Sequence, residues 1–539
     1  MTGARSGTER AERAGRLRRT AARTADAAGL ALRALLRPRA AHGPFAEAAP
    51  RRRLVLVQID GVSRARLVRT LAEGWMPTLA ARLDTGRHVL ASGRSSAPTS
   101  TPAFQAGLFY GVAPSVPGFA WFDRSTRREV RMDRPDDATR VERRLAAQGP
   151  GLLRGGAAYF SIFSGGAAAP HFCLSGLAGD LALERCARRP GPWDAAASAL
   201  AGSVTAARSA LRLAHDAGHG VVDGLRWSLA LRRATHEPRF LAHRVLVGAV
   251  LRELAVQGIL VDLSRGVPVV YVDFLGYDET AHRRGPGSRA ALRCLGAVDE
   301  ALAAIFAAAD AAPELGYDVH VFSDHGHVRT RPFEALEGAT LPDFVARAER
   351  SGPPRPLPFG DVGQGLLWGR AGARRADGLA VAGAGDLAHV YFLDEAGPLP
   401  LEALRARHRP VLEALSRCPA VGLLGVRGGA RGFALVRGLT VDLADPGQVA
   451  RLPHPDPVLA ASHLSALVSL PDAGDLVVQG WRGEGQDCVA YAWEFGSHGG
   501  LAPEELDSFV VHPAASPPPG RAPGPVDLHR WFEAIRASG

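Results

Sequence analysis

Four short, widely separated segments carry side chains suited to divalent cations. Asp278 and His282 lie four residues apart in YDETAHRRGP, Asp324 and His325 are adjacent in FSDHG, and His498 stands among glycines in GSHGG. Asp60 ends the apolar run LVLVQID, and a hydroxyl cluster, PTST from Pro98 to Thr101, offers a nucleophile. Carboxylate and imidazole donors suit zinc, which takes such ligands at about 2.0–2.2 Å and can leave a position open for substrate. Two ions about 4 Å apart can activate an attacking oxygen and neutralise charge on a transferring phosphoryl group. The candidates divide into two sets. Asp278, His282 and His498 would hold one ion; Asp60, Asp324, His325 and a hydroxyl would hold the other. The expected cofactors are two divalent ions, zinc first and manganese second, and the expected chemistry is phosphoryl transfer.

Such a site needs elements that bring distant loops together. LVLVQID, VPVVYVDF and YDVHVFSD are continuous apolar runs ending in acidic or polar residues, which read as buried strands. Ser288 to Ala309 has helical periodicity through Leu292, Leu295, Val298, Leu302 and Ile305. Buried strands alternating with helices imply an α/β fold with a doubly wound, mostly parallel sheet covered on both faces. Ligands in such sheets bind beyond the carboxyl ends of the strands. Asp60, Asp278 and Asp324 all fall at or just past such ends.

The remaining organisation is read more coarsely. A basic Arg/Ala-rich tail over 1–50 precedes a catalytic domain over 51–515, with a helical cap inserted at about 195–262. The cap's apolar stripe (Phe240, Val247, Leu251, Leu254) is read as packed core. Pro353 to Pro358 is read as a loop, and LAHVYFL, GFALVRG, DLVVQGW and CVAYAWEF as strands of a second half. Residues 516–539 read as a Pro-rich linker and a short terminal helix, DLHRWFEAIR.

Composition narrows the class. With 46% hydrophobic and 22% charged residues the chain reads as globular rather than disordered. Of the net charge of +10, nine units sit in residues 1–53. That tail suits an anionic membrane surface, with a solvated leader as the plainer reading; nucleic acid is not an expected partner. AAGLALRALL follows Arg18-Arg19, but Asp26 and Arg33 interrupt it, so it reads as a surface-lying helix and not as an export signal. Five dispersed cysteines without CxxC spacing fit reduced thiols. The expected location is cytoplasmic, peripheral to the membrane, with export as the alternative.

Taken together, Asp60-Gly61, PTST followed by GLFYGVAPSVPG, D-x-x-x-H-x-x-G-P (Asp278 to Pro286), Ser323-Asp324-His325-Gly326 and Ser497-His498-Gly499 resemble the alkaline phosphatase superfamily. The branch is that of type I phosphodiesterases and nucleotide pyrophosphatases, and a bacterial subgroup of the superfamily is also similar. The motifs occur in the family's order over about residues 53–500. The resemblance implies metal-dependent phosphodiester hydrolysis of a small phosphate ester or lipid headgroup. Setting Pro98-Thr99 on the family's P-T-x-T makes Thr101 the nucleophile, which would also bind metal, and Gly111 the following glycine; Ser100 is the runner-up. A phospho-threonine intermediate follows from this.

Two departures limit the resemblance. The Asn that pyrophosphatases carry about twenty residues past the nucleophile is here Phe122, beside Asp123. The Cys/Ser-x-Pro-x-Arg of sulfatases lacks its Arg. The alternatives are a phosphomonoesterase, a phosphoryl or phosphoglycerol transferase on the same site, or a membrane-surface binding protein that keeps the fold. His327 and His389 are read as structural. Arg283 and Arg284 are considered as contacts to a substrate phosphate and left out of the site, because exposed arginines are common in this chain.

Overall fold

The structure, a computed structural model, describes residues 52–113, 115–177, 218, 246–349, 355–356, 372–376, 378–395, 397–428 and 430–538. The basic tail and most of the expected helical insertion lie outside the described residues. Seven strands form the central sheet: β1 (Arg53–Ile59), β2 (His88–Arg94), β3 (Ala157–Tyr159), β4 (Ala169–His171), β5 (Val269–Phe274), β6 (Tyr317–Phe322) and β7 (Asp507–Pro513). Their order is β2-β7-β6-β1-β5-β3-β4. The five strands from β6 to β4 run parallel, and β7 is antiparallel to both β2 and β6. The doubly wound, mostly parallel sheet is therefore present.

Alternation along the strands explains why the sheet is buried on both faces. Leu54 and Leu56 of β1 join one apolar cluster, whereas Val55, Val57 and Ile59 join the cluster on the opposite face. One face is covered by α1 (Thr101–Tyr110) and α4 (Pro525–Ala537), through Phe104, Leu108, Leu528 and Phe532. The other is covered by α3 (Arg289–Asp310), through Leu292, Leu295, Val298, Leu302 and Ile305. Those are the periodic positions of the sequence, and the Ser288 hydroxyl caps the helix by accepting from the Ala291 N–H at 3.2 Å. Between β5 and α3 lies α2 (Gly276–Arg284).

The later apolar runs form a second sheet of eight strands, antiparallel throughout. Leu387–Phe392, Leu476–Gln479 and Phe433–Val436 belong to it, while Cys488–Ala490 pairs instead with Val328–Pro332 in a small third sheet. Two expectations are corrected here. Within the segment read as a loop, Arg355–Pro356 forms a short edge strand paired with Arg374 and Arg375. Leu254, read as core, is 50% exposed. A π-helical turn over Leu246–Leu251 shifts the phase of the helix Arg252–Ser264, whose buried apolar face is Ala255, Val256, Ile259 and Leu263. This helix packs on the core face that α3 covers, so the end of the expected insertion belongs to the core layer. Among the described residues, no helix is long and apolar enough to cross a membrane.

Candidate active site

Each site residue is delivered by the carboxyl edge of the central sheet or a loop facing it. Asp60 follows β1 directly. Asp278 and His282 lie on α2, where a spacing of four places them on one helical face; His282 Nε2 is 3.5 Å from Asp278 Oδ2. Asp324 and His325 lie in the loop after β6. That loop is bound tightly to the turn after β1: the Gly61 N–H donates to Asp324 Oδ1 (3.2 Å) and the Val62 N–H to Ser323 Oγ (3.1 Å). Gly326 is required here, because a Cβ would stand 1.9 Å from the Glu504 carbonyl oxygen.

Two donor groups result. Asp60, Asp324 and His325 form one; Asp278, His282 and His498 form the other, together with His327. These are the two sets read from the sequence, with His327 added. His327 Nε2 lies 2.5 Å from Asp278 Oδ1, close enough either to serve as a further ligand or to orient that carboxylate by donating to it. The signal that would have found it is its spacing of two from His325, which puts two rings on one side of an extended segment. The rings of His325 and His498 stack at a centroid distance of 3.7 Å, so the groups adjoin.

The imidazoles are oriented alike. His282 Nδ1 faces Glu494 Oε2 and the Gly496 carbonyl, both at 3.0 Å; His325 Nδ1 faces the Gly326 carbonyl at 3.2 Å; and His498 Nδ1 faces the Thr99 carbonyl at 2.8 Å. In each, the acceptor holds the proton on Nδ1 and leaves the Nε2 lone pair directed at the site. Glu494 is buried and was not singled out in the sequence.

Electrostatics point the same way. Burial raises Asp60 well above the usual carboxylate range, and repulsion from Asp324, Asp273 and Asp278 adds to it. Burial also raises Asp324, whose Oδ2 has no hydrogen-bond partner. Burial lowers His325 and His498 to about 3, so both imidazoles are neutral lone-pair donors at ordinary pH. Crowded carboxylates beside neutral imidazoles, in a buried pocket with an orphaned oxygen, fit divalent cations.

Thr101 is the first residue of α1, and its Oγ1 lies 3.4 Å from both Asp60 Oδ1 and His325 Nε2. Ser100 is the N-cap residue, but its buried hydroxyl has no hydrogen-bond partner and makes no capping bond. Phe122 packs in the core near Tyr391, and the Asp123 carboxylate accepts from Ser125 and Thr126, so neither supplies the missing Asn function. His389 bonds through both ring nitrogens, to the Pro117 carbonyl (2.8 Å) and the Gly474 N–H (3.1 Å), and is structural as read. Beneath the site, Gln58 and Gln105 each donate to Asp273 Oδ2 at 3.1 Å, a buried network the sequence reading did not include.

Comparison with known proteins places these motifs. Residues 54–353 match the type I phosphodiesterase/nucleotide pyrophosphatase family. No curated protein matches. Among solved structures, the chain is similar to phosphonoacetate hydrolase from Sinorhizobium meliloti 1021 in complex with phosphonoformate, at 17% identity and a TM-score of 0.45. It is similar to the same enzyme in complex with phosphonoacetate at 18% identity and a TM-score of 0.45. Both alignments cover 91% of this chain and 97% of the other.

Proposed function

The chain belongs to the type I phosphodiesterase/nucleotide pyrophosphatase family and is a phosphoric ester hydrolase; from that premise we propose that it cleaves phosphodiesters with Thr101 as the nucleophile. The observation that carries this reading is the position of Thr101 Oγ1, 3.4 Å from a member of the Asp60 group on two sides. The hydroxyl also stands at the start of α1, where the helix dipole favours developing negative charge. Two divalent ions, zinc foremost, held by Asp60, Asp324, His325 and Thr101 and by Asp278, His282 and His498, would lower the hydroxyl pKa and neutralise charge on the phosphoryl group.

The protein's own contribution is placement. Gly61 and Ser323 lock the β1 and β6 loops together, and the Thr99 carbonyl ties the nucleophile turn to His498. Thr101 Oγ1 gives up its proton and forms a bond to phosphorus as the bond to the leaving alkoxide breaks, the alkoxide leaving as its alcohol; the phospho-threonine so formed still carries the second ester group, and water releases it as a phosphomonoester. Family membership supports a diester over a monoester. The substrate class is a small phosphate ester or a lipid headgroup, the latter in keeping with the basic residues of 1–53.

The test is turnover of bis-p-nitrophenyl phosphate and p-nitrophenyl phosphate by zinc-loaded protein. Thr101→Ala is expected to lose diesterase activity by on the order of 10³-fold or more, with Ser100→Ala close to wild type. Loss in Ser100→Ala alone would move the nucleophile to Ser100. Preference for the monoester would overturn the diesterase reading.

A further inference from the structure

Outside the two donor groups lies a third cluster of buried, chemically capable side chains. Asp386 stands in the turn between the strands Leu379–Ala384 and Leu387–Phe392, Cys488 opens the strand Cys488–Ala490, and Glu505 lies in the helical turn Pro503–Leu506. One ligand atom from each lies within 4.8 Å of the others. Cys488 Sγ donates to Asp386 Oδ2 at 3.2 Å, and the Asp386 and Glu505 carboxyls adjoin. All three residues are buried, yet Asp386 Oδ1 and Glu505 Oε1 have no hydrogen-bond partner among the described residues. Burial raises all three above their ordinary values. Packing acids and a thiol together this way is unfavourable unless protons or a cation compensate.

A second observation distinguishes this place from a simple acid cluster. Gln479 is 0% exposed at the end of Leu476–Gln479, and neither atom of its side-chain amide has a hydrogen-bond partner. Its Oε1 faces the same space. A Cβ placed on Gly500 would stand 2.9 Å from Gln479 Oε1 and 2.4 Å from Asp386 Oδ2, while the Gly500 N–H donates to Glu505 Oε2 at 2.7 Å. A buried amide oxygen beside the Asp386 carboxyl, at the Gly500 backbone that Glu505 binds, lacks a partner, and a cation would supply one.

We propose that Asp386, Gln479, Cys488 and Glu505 form a third cation site, for a divalent transition metal of zinc-like character. Four donors from four elements fit a closed, structural coordination shell. The thiol selects against magnesium and calcium, which take oxygen ligands only. Binding displaces the Cys488 proton and leaves both carboxyls ionised as ligands. The ion braces the candidate active site from behind. Glu505 Oε2 accepts from Thr99 Oγ1 at 3.0 Å, and the Thr99 carbonyl is the acceptor that orients His498.

Cobalt(II) loading of the full chain tests this directly. The active-site groups contain no sulfur, so their cobalt gives only weak visible bands, whereas a Cys488 thiolate ligand gives a sulfur-to-cobalt charge-transfer band in the near ultraviolet. Three metal equivalents by elemental mass spectrometry and that band are the expected result. Cys488→Ser should lose the band and one equivalent and keep two. Asp386→Asn should lose the same equivalent, which guards against misfolding of either variant. Two equivalents without the band in the wild type, or a band that survives in Cys488→Ser, would overturn the proposal. Because the charge-transfer band arises only at Cys488 and diesterase turnover reports only the active-site groups, failure of one reading does not resemble failure of the other.

Discussion

Glu494→Ala tests whether the orientation of His282 matters to metal affinity. The imidazole Nδ1 has two acceptors at 3.0 Å, the Glu494 carboxylate and the Gly496 carbonyl. The same Glu494 oxygen accepts from Ser497 Oγ at 2.9 Å, one residue before His498. Removing the carboxylate therefore frees one candidate ligand ring, His282, and loosens the strand leading to another, His498. Substitutions of such supporting groups typically lower metal affinity or activity by about 10–100-fold, or about 1.4–2.7 kcal/mol. Gly496 keeps the proton on Nδ1, which places the expected effect near the lower end, on the order of 10-fold. Glu494→Gln keeps an acceptor without the charge and should fall between wild type and Glu494→Ala. The assay is competition for zinc against a chromophoric chelator, with diesterase turnover in parallel. Affinity in Glu494→Ala within twofold of wild type at both ions would refute the reasoning and assign the ring's orientation to Gly496 alone.

Further predictions concern backbone, burial and pH. Gly61 has φ +76°, and a Cβ there would meet the His327 ring at 2.6 Å. Gly61→Ala should cost about 1–3 kcal/mol in backbone strain alone and weaken metal binding, read by urea midpoint and metal content. The buried Asp475 carboxylate accepts from the Phe392 and Leu399 N–H groups at 2.7 Å and pairs with Arg124. Asp475→Ala should lower the unfolding free energy by about 3–5 kcal/mol, measured by urea titration. Burial lowers His320 to about 3 from an ordinary 6.5. The unfolded chain then takes up a proton that the folded chain does not. This stability is fully present above pH 6.5 and falls as the pH drops toward 3, by about 1.4 kcal/mol per unit. His320→Leu should flatten the acid limb of stability by that amount.

β1, β5 and β6 were legible because they are largely buried on both faces and so appear as continuous apolar runs; β2, with exposed residues, the three-residue β3 and β4, and the C-terminal β7 were not read. The candidate ligand residues were legible because strand ends and a spacing of four on a helix are local features: Asp60, Asp278, His282, Asp324 and His325 all depend on them. His498 was legible only through its motif. What escaped depended on long-range pairing. Glu494 reaches His282 because Gly496–Ser497 pairs with Val328 and Arg329, a register no local pattern reveals. Likewise the strands of the second sheet were visible as apolar runs, but not their antiparallel order. Leu254 was misplaced because a π-turn breaks the 3.6-residue period from which its face was extrapolated. The cluster of Asp386, Gln479, Cys488 and Glu505 is drawn from four elements spread between positions 386 and 505, with no shared motif.

The strand β7 lies between β2 and β6, and α4 rests on α1, where a Cβ at Gly107 would touch Pro525 at 3.0 Å and His529 Nδ1 meets the Leu108 carbonyl at 2.9 Å. Synthesis thus delivers Thr101 some four hundred residues before the pieces that seat it. Until residues 507–537 have emerged from the ribosome, β6 lacks one of its two neighbours and the face of α1 that α4 covers is bare, an exposed strand edge beside apolar surface. Nascent chains are therefore expected to hold the metal-binding loops without a rigid frame. Assembly of the centre becomes a late event of folding, coupled to closure of the sheet.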